Sequence, residues 1–247
     1  MAPEQSHNRR AALQQAAMSI RTPEPVQRKG EKAMGTYAKP LRTIGTALLF
    51  TVAGIASAGT ITGSPHDFST QGWSGGQICV PCHTPHRANT TVADAPLWNH
   101  ALTAATFTLY GSPTLNATIG QPSGGSKLCF SCHDGTVAIN SFGGTTGTTF
   151  IGTGDKVGPD LRSEHPIGFT YDAALVTADG SLKATTTAVT IGAGGQTRTG
   201  TIASNLLFGG KMECASCHDV HNTFTNGGKL LKVANAGSAL CITCHSK

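Results

Sequence analysis

Strong hydrophobic periodicity is scarce in this chain, and Gly and Thr fill long stretches where a helical protein would carry amphipathic runs. That argues against long helices. Charged residues make up 13% and aromatics 6%, and no basic patch is interleaved with aromatics, so nothing points to a nucleic-acid surface. The formal charge of +5 does not point to one either. Eight of the 18 Lys and Arg and three of the 13 Asp and Glu precede residue 59, leaving ten of each sign beyond it. An anionic membrane is therefore not implied as a partner. The one apolar run, residues 44–55, is too short to span a bilayer.

No cysteine lies outside four pentapeptides. They are Cys79-Val80-Pro81-Cys82-His83, Cys129-Phe130-Ser131-Cys132-His133, Cys214-Ala215-Ser216-Cys217-His218 and Cys241-Ile242-Thr243-Cys244-His245. Two thiols three positions apart can each add to one vinyl group of the same haem, and the histidine that follows binds its iron from the proximal side. The pattern predicts four covalently attached c-type haems. Two zinc ribbons would also use Cys-x-x-Cys half-sites. At this chain's histidine content, however, four such pairs would all be followed by His by chance about once in several hundred thousand trials. Disulfides across Cys-x-x-Cys would make small strained loops that stabilise a fold poorly.

Residues 34–58 read as a secretory signal peptide. Lys39 and Arg42 form its positive region, residues 44–55 its apolar region, and Ala56-Ser57-Ala58 its cleavage site. Residues 1–33 are charged and lack hydrophobic periodicity, and they read as a mis-annotated N-terminal extension. The expected mature chain starts near Gly59 and is exported. Residues 59–247 are expected to form one tetrahaem domain of mostly irregular chain, with short helices and a few short β-hairpins wrapped around a haem stack.

Within that domain a unit repeats. Each half reads Cys-x-x-Cys-His-x-x-His, followed by Gly-Ser-x-Leu-Cys-x-x-Cys-His. This predicts two similar haem pairs, over about residues 59–134 and 211–247, with a Gly/Thr-rich segment over about 135–210 between them. In that segment residues 184–191 and 197–203 alternate on either side of a glycine turn, predicting a surface hairpin; the alternative is a flexible linker. The run 94–110 is periodic enough to predict partial helix.

Five histidines lie outside the motifs in the mature chain: His66, His86, His100, His165 and His221. Five candidates for four irons allow every haem a second axial histidine, which argues for a conductor rather than an enzyme. His86 and His221 follow their proximal histidines by three positions, well placed to reach a neighbouring ring. The proline after His165 holds that residue extended, which suits a ligand on an ordered loop. His100 reads either as a ligand or as a residue packed on Trp98 and a haem edge.

With Pro65-His66-Asp67-Phe68-Ser69, Ala95-Pro96-Leu97-Trp98-Asn99-His100 and the motifs themselves, the chain resembles the doubled Cys-x-x-Cys-His cytochromes of metal-reducing bacteria. Within these it resembles the tetrahaem outer-membrane cytochrome E type. The resemblance implies a continuous haem stack and polymerisation into extracellular conducting filaments, in which a histidine of one subunit ligates a haem of the next. By its place in the motif, His86 takes that role. It also implies other cytochromes or external electron acceptors as partners. A monomeric periplasmic electron shuttle shares the same haem chemistry and remains the alternative.

Overall fold

The computed structural model describes residues 60–226 and 228–246; the expected N-terminal extension and signal peptide lie outside the described residues. Regular elements are few and short. In chain order they are α1 (Gly124–His133), β1 (Phe169–Thr170), α2 (Ala173–Asp179), β2 (Ala188–Ala193), β3 (Gln196–Thr201), α3 (Ile202–Leu206), β4 (Lys211–Met212), α4 (Cys214–Cys217) and α5 (Ala239–Cys244). The rest of the described chain is mostly irregular, as the sequence led one to expect. Among the described residues no helix is long and apolar enough to cross a membrane.

Local chemistry accounts for the elements that do form. Asp172 caps α2 by accepting from the Leu175 amide at 2.9 Å, and Gly180 ends the helix in the left-handed region at φ 70°. Thr201 and Ser204 form a reciprocal capping box at the start of α3. The β2–β3 hairpin pairs in full antiparallel register from Ala188 with Thr201 to Ala193 with Gln196. Gly192 sits in it at φ 84°, where any Cβ would collide with the Gln196 carbonyl.

The apolar interior is split into three small clusters. Phe169, Tyr171, Leu175, Ile202 and Met212 form the largest; Val92, Trp98 and Leu128 form a second, and Phe107, Phe130 and Leu161 a third. The Gly/Thr-rich central segment supplies most of the first cluster, so it is folded rather than a flexible linker. β1, midway along it, pairs with β4 just beyond its end, Phe169 opposite Met212. The side chain of Asn205 holds α3 beneath the hairpin, donating to the Val189 and Arg198 carbonyls at 3.1 and 3.2 Å.

The run 94–110 is not helical, contrary to expectation. Asp94 and Leu97 adopt φ 61° and 53°, and Pro96 lies between them. Its backbone groups go to tertiary partners instead of a helical ladder. Asn99 N donates to Cys82 O at 2.8 Å, Ala101 N to Ser141 O at 2.8 Å and Thr108 N to Pro159 O at 2.9 Å. Periodicity here reflects apolar side chains sent to separate clusters: Trp98 to the second and Phe107 to the third.

Ile202 is fully buried at the centre of the largest cluster. Ile202→Ala should cost about 2–5 kcal/mol, read from the denaturant midpoint of the intact protein, with haem content unchanged.

Candidate haem sites

Each motif forms a single helical turn. His83 N donates to Cys79 O at 2.8 Å, His218 N to Cys214 O at 3.1 Å and His245 N to Cys241 O at 3.0 Å, while His133 closes α1. The two thiols and the imidazole occupy positions i, i+3 and i+4 of that turn, so all three share one face. The spacing thus turns three donors toward one flat group.

A second piece of chain returns across each motif. Trp98 bridges to His83, Leu231 to His218 and Leu182 to His245, and Val157 N donates to His133 O at 2.8 Å. Three of these returns also grip the ring. His83 Nδ1 lies 2.6 Å from Pro96 O, His133 Nδ1 2.8 Å from Asp155 O and His218 Nδ1 2.7 Å from Lys229 O. A carbonyl can only accept, so Nδ1 carries the proton and Nε2 keeps its lone pair for a metal. His165 is held the same way by Pro166 O at 2.9 Å. This is the orientation an iron-bound imidazole needs, so these residues fit the group the motifs imply.

The other histidines meet those rings in pairs. His83 and His221 have centroids 6.1 Å apart at 22°, His133 and His66 are 6.1 Å apart at 50°, and His245 and His165 are 6.4 Å apart at 70°. Here the distance is constant while the angle varies. An iron with a nitrogen about 2 Å away on each side sets two opposing centroids about 6 Å apart at any twist. Among the described residues no three His, Cys, Asp or Glu side chains converge as a zinc ribbon requires.

Electrostatics agree with that chemistry. Burial, then the neighbouring His133 and His218, lowers the His66 pKa to about 4, so the ring is neutral, the form that ligates a metal. Burial pushes the Cys82 thiol up to about 11, Cys132 to about 12 and Cys244 to about 11. Without a metal beside them these cysteines stay thiols.

Three candidates stay outside the pairs. His218 faces no imidazole at that spacing among the described residues. The His86 side chain is exposed; the hydrogen bonds of the residue, to Thr84 Oγ1, are made by its backbone. His100 is 2% exposed, with Nδ1 2.7 Å from Ala101 O and Nε2 3.1 Å from Ala138 O. Both its nitrogens face backbone carbonyls, and its ring lies against Trp98 at 6.3 Å.

The motifs abut in chain order. Cys82 and Cys132 are electrostatic neighbours, as are Cys129 and Cys214, and Cys217 with Cys241 and Cys244. Lys229 Nζ also pairs with Asp155 Oδ1 at 3.1 Å. The two residues whose carbonyls grip His133 and His218 are thereby joined through their side chains.

The repeat seen in the sequence extends to these returns. Pro96, Leu97 and Asn99 serve the first motif as Lys229, Leu230 and Lys232 serve the third: Asn99 N donates to Cys82 O and Lys232 N to Cys217 O, both at 2.8 Å. Leu97 and Leu230 share a positive φ of 53° and 57°. Sequence reasoning missed these residues. The one available signal is a leucine 15 residues after the second cysteine in the first motif and 13 after it in the third.

A family model of the doubled CXXCH motif matches residues 208–247. It covers the third and fourth motifs and indicates covalent c-type haem of the multihaem cytochrome kind, with electron transfer as its chemistry. No curated protein matches the chain.

With both ring nitrogens of His100 on carbonyls, His100→Gln should leave the low-spin haem spectrum unchanged. It should lower stability by about 1–3 kcal/mol, because buried acceptors lose their donor. A new high-spin band would instead assign His100 to an iron.

Proposed function

We propose that this protein conducts electrons through four c-type haems, each held between two histidines, as the subunit of an extracellular filament. Haem, when bound, supplies a one-electron Fe(III)/Fe(II) couple. His83 with His221, His133 with His66 and His245 with His165 would hold the iron of the first, second and fourth haems. Cys79, Cys82, Cys129, Cys132, Cys214, Cys217, Cys241 and Cys244 carry the thioether links. Three internally closed sites leave no coordination position there for a substrate, which supports a carrier rather than an enzyme.

The observation that carries the assembly is what remains after pairing among the described residues: one unopposed proximal ring, His218, and one exposed unpartnered ring, His86. His86 of one copy completes the third site of the next. The two halves of that contact come from different places on the chain, so the interface is heterologous, and a heterologous contact that does not close gives an open polymer. The order in which the motifs abut supports a continuous path from the first site to the fourth. Covalent attachment and the leader sequence favour export, with the cell exterior as the place where such a polymer reaches its acceptors.

Carbon monoxide tests the assignment. Reduced free subunits should change the spectrum of one haem in four, since the chain has four motifs and, among the described residues, only the proximal histidine of the third meets no second imidazole. Filaments seen by electron microscopy of the extracellular fraction should show almost no response. His86→Ala should yield soluble subunits that keep their haem, respond to carbon monoxide and never polymerise. Ordinary low-spin filaments from His86→Ala would refute the role of His86. Free subunits with four closed sites would favour the periplasmic shuttle.

A further inference from the structure

The residue before the first cysteine is apolar in three motifs, Ile78, Leu128 and Leu240, and is Glu213 in the third. That glutamate is 4% exposed. Its carboxylate accepts from the Ser126 amide at 3.2 Å and from the Ser126 hydroxyl, while the Ser216 amide donates to the Glu213 backbone carbonyl at 2.9 Å. In return Cys214 N donates to Ser126 Oγ at 3.0 Å and Glu213 N to Ser216 Oγ at 2.8 Å. The Ser126 amide and hydroxyl thus both serve the carboxylate as donors. No cation pairs with it; the ion pairs among the described residues are Arg162 with Asp160 and Lys229 with Asp155. A buried carboxyl group with no cation beside it thus lies where α1 of the second motif meets α4 of the third.

We infer that Glu213 sets the potentials of the second and third haem sites, lowering both. A ferric haem carries one more positive charge than a ferrous one. A fixed carboxylate in a poorly screened interior therefore favours the oxidised form of whichever haems lie nearest. Glu213 lies beside the first cysteine of each of the two motifs. The Cys129 thiol is pushed well up, first by its contact with Cys214, then by burial, with Glu213 adding to the same effect. Glu213 also acts to raise Cys214, against the larger lowering by Cys129. The hydroxyl and amide donors hold the carboxylate in place, so it cannot swing to solvent and be screened. The other three motifs carry an apolar residue at this position and so no ionisable group. The inference rests on haem attachment at the motifs and not on polymerisation.

The test is spectroelectrochemical titration of the intact, haem-loaded protein. Glu213→Gln keeps the shape and an acceptor but removes the charge, and should move two of the four haems to higher potential while the other two stay in place. Ser126→Ala keeps the charge but removes one donor that offsets it, and should move the same two haems lower. A purely structural role would not give opposite signs. No shift, an equal shift of all four haems, or the same direction in both variants would overturn the inference. If Glu213→Gln is not recovered folded, Ser126→Ala decides alone: a downward shift confined to two haems supports the inference, and any other result overturns it. Haem content measured on the same samples keeps the two levels apart. Wild-type protein with fewer than four haems would refute the haem reading itself, whereas four haems with unmoved potentials would refute only the role of Glu213.

Discussion

A carbonyl oxygen against Nδ1 leaves a histidine one lone pair, on Nε2, and fixes the plane in which it can be offered. In this chain that contact recurs at His83, His133 and His218, and much of the architecture follows from it. A helical turn cannot supply the carbonyl, because its own carbonyls run parallel to its axis. A separate stretch of chain must come back across every motif. Those returns, near residues 96–99, 155–158 and 229–232, with 182–183 serving the fourth motif, account for the scarcity of regular elements. The first three each grip one ring, and all four then leave for the next task.

The remaining interior is correspondingly divided. Three apolar clusters of three to five buried residues do the work of a single core. Buried polar groups fill the seams between them. Asp134, fully buried, accepts from the Thr136 amide at 2.7 Å and from the Thr103 hydroxyl, fixing the turn that follows His133. Lys232, 6% exposed, reaches the Asn205 carbonyl at 3.3 Å and lies 4.9 Å over the Phe208 ring. Burial lowers its pKa, and the aromatic face and carbonyl offset part of that cost. These contacts specify which loop crosses which motif, a task that apolar packing alone would leave degenerate.

How much of this could be read from the sequence depends on whether a feature is local. Cys-x-x-Cys-His is local: five consecutive residues define one face of one turn. The β2–β3 hairpin is local too, since alternation and a glycine turn fix its register. The pairings of His83 with His221 and of His245 with His165 join residues 138 and 80 positions apart, by their numbers in the chain, and no spacing rule reaches that far. His66, His165 and His221 could be named as candidates, but only the fold could say which ring each would face. Residues 94–110 misled for the opposite reason. Their apolar spacing matched a helix, whereas Pro96 and the positive φ of Leu97 serve a return strand whose partners lie elsewhere in the chain. The central segment was hard to read because Gly and Thr carry little pattern, although it supplies His165, the Asp155 carbonyl and the return at Leu182.

The two unpaired rings, His86 and His218, carry a consequence for any polymer they build. Subunits joined by a side chain on one copy and a waiting position on the next all point the same way, so the assembly has a sense, like an arrow. Its two tips are chemically unlike. One presents a free imidazole, and the other a protein-held ring with nothing opposite. Growth, capping by a foreign base and docking to a cell-surface donor would then each discriminate between tips, and a strand laid down from the cell outward would keep that orientation along its whole length.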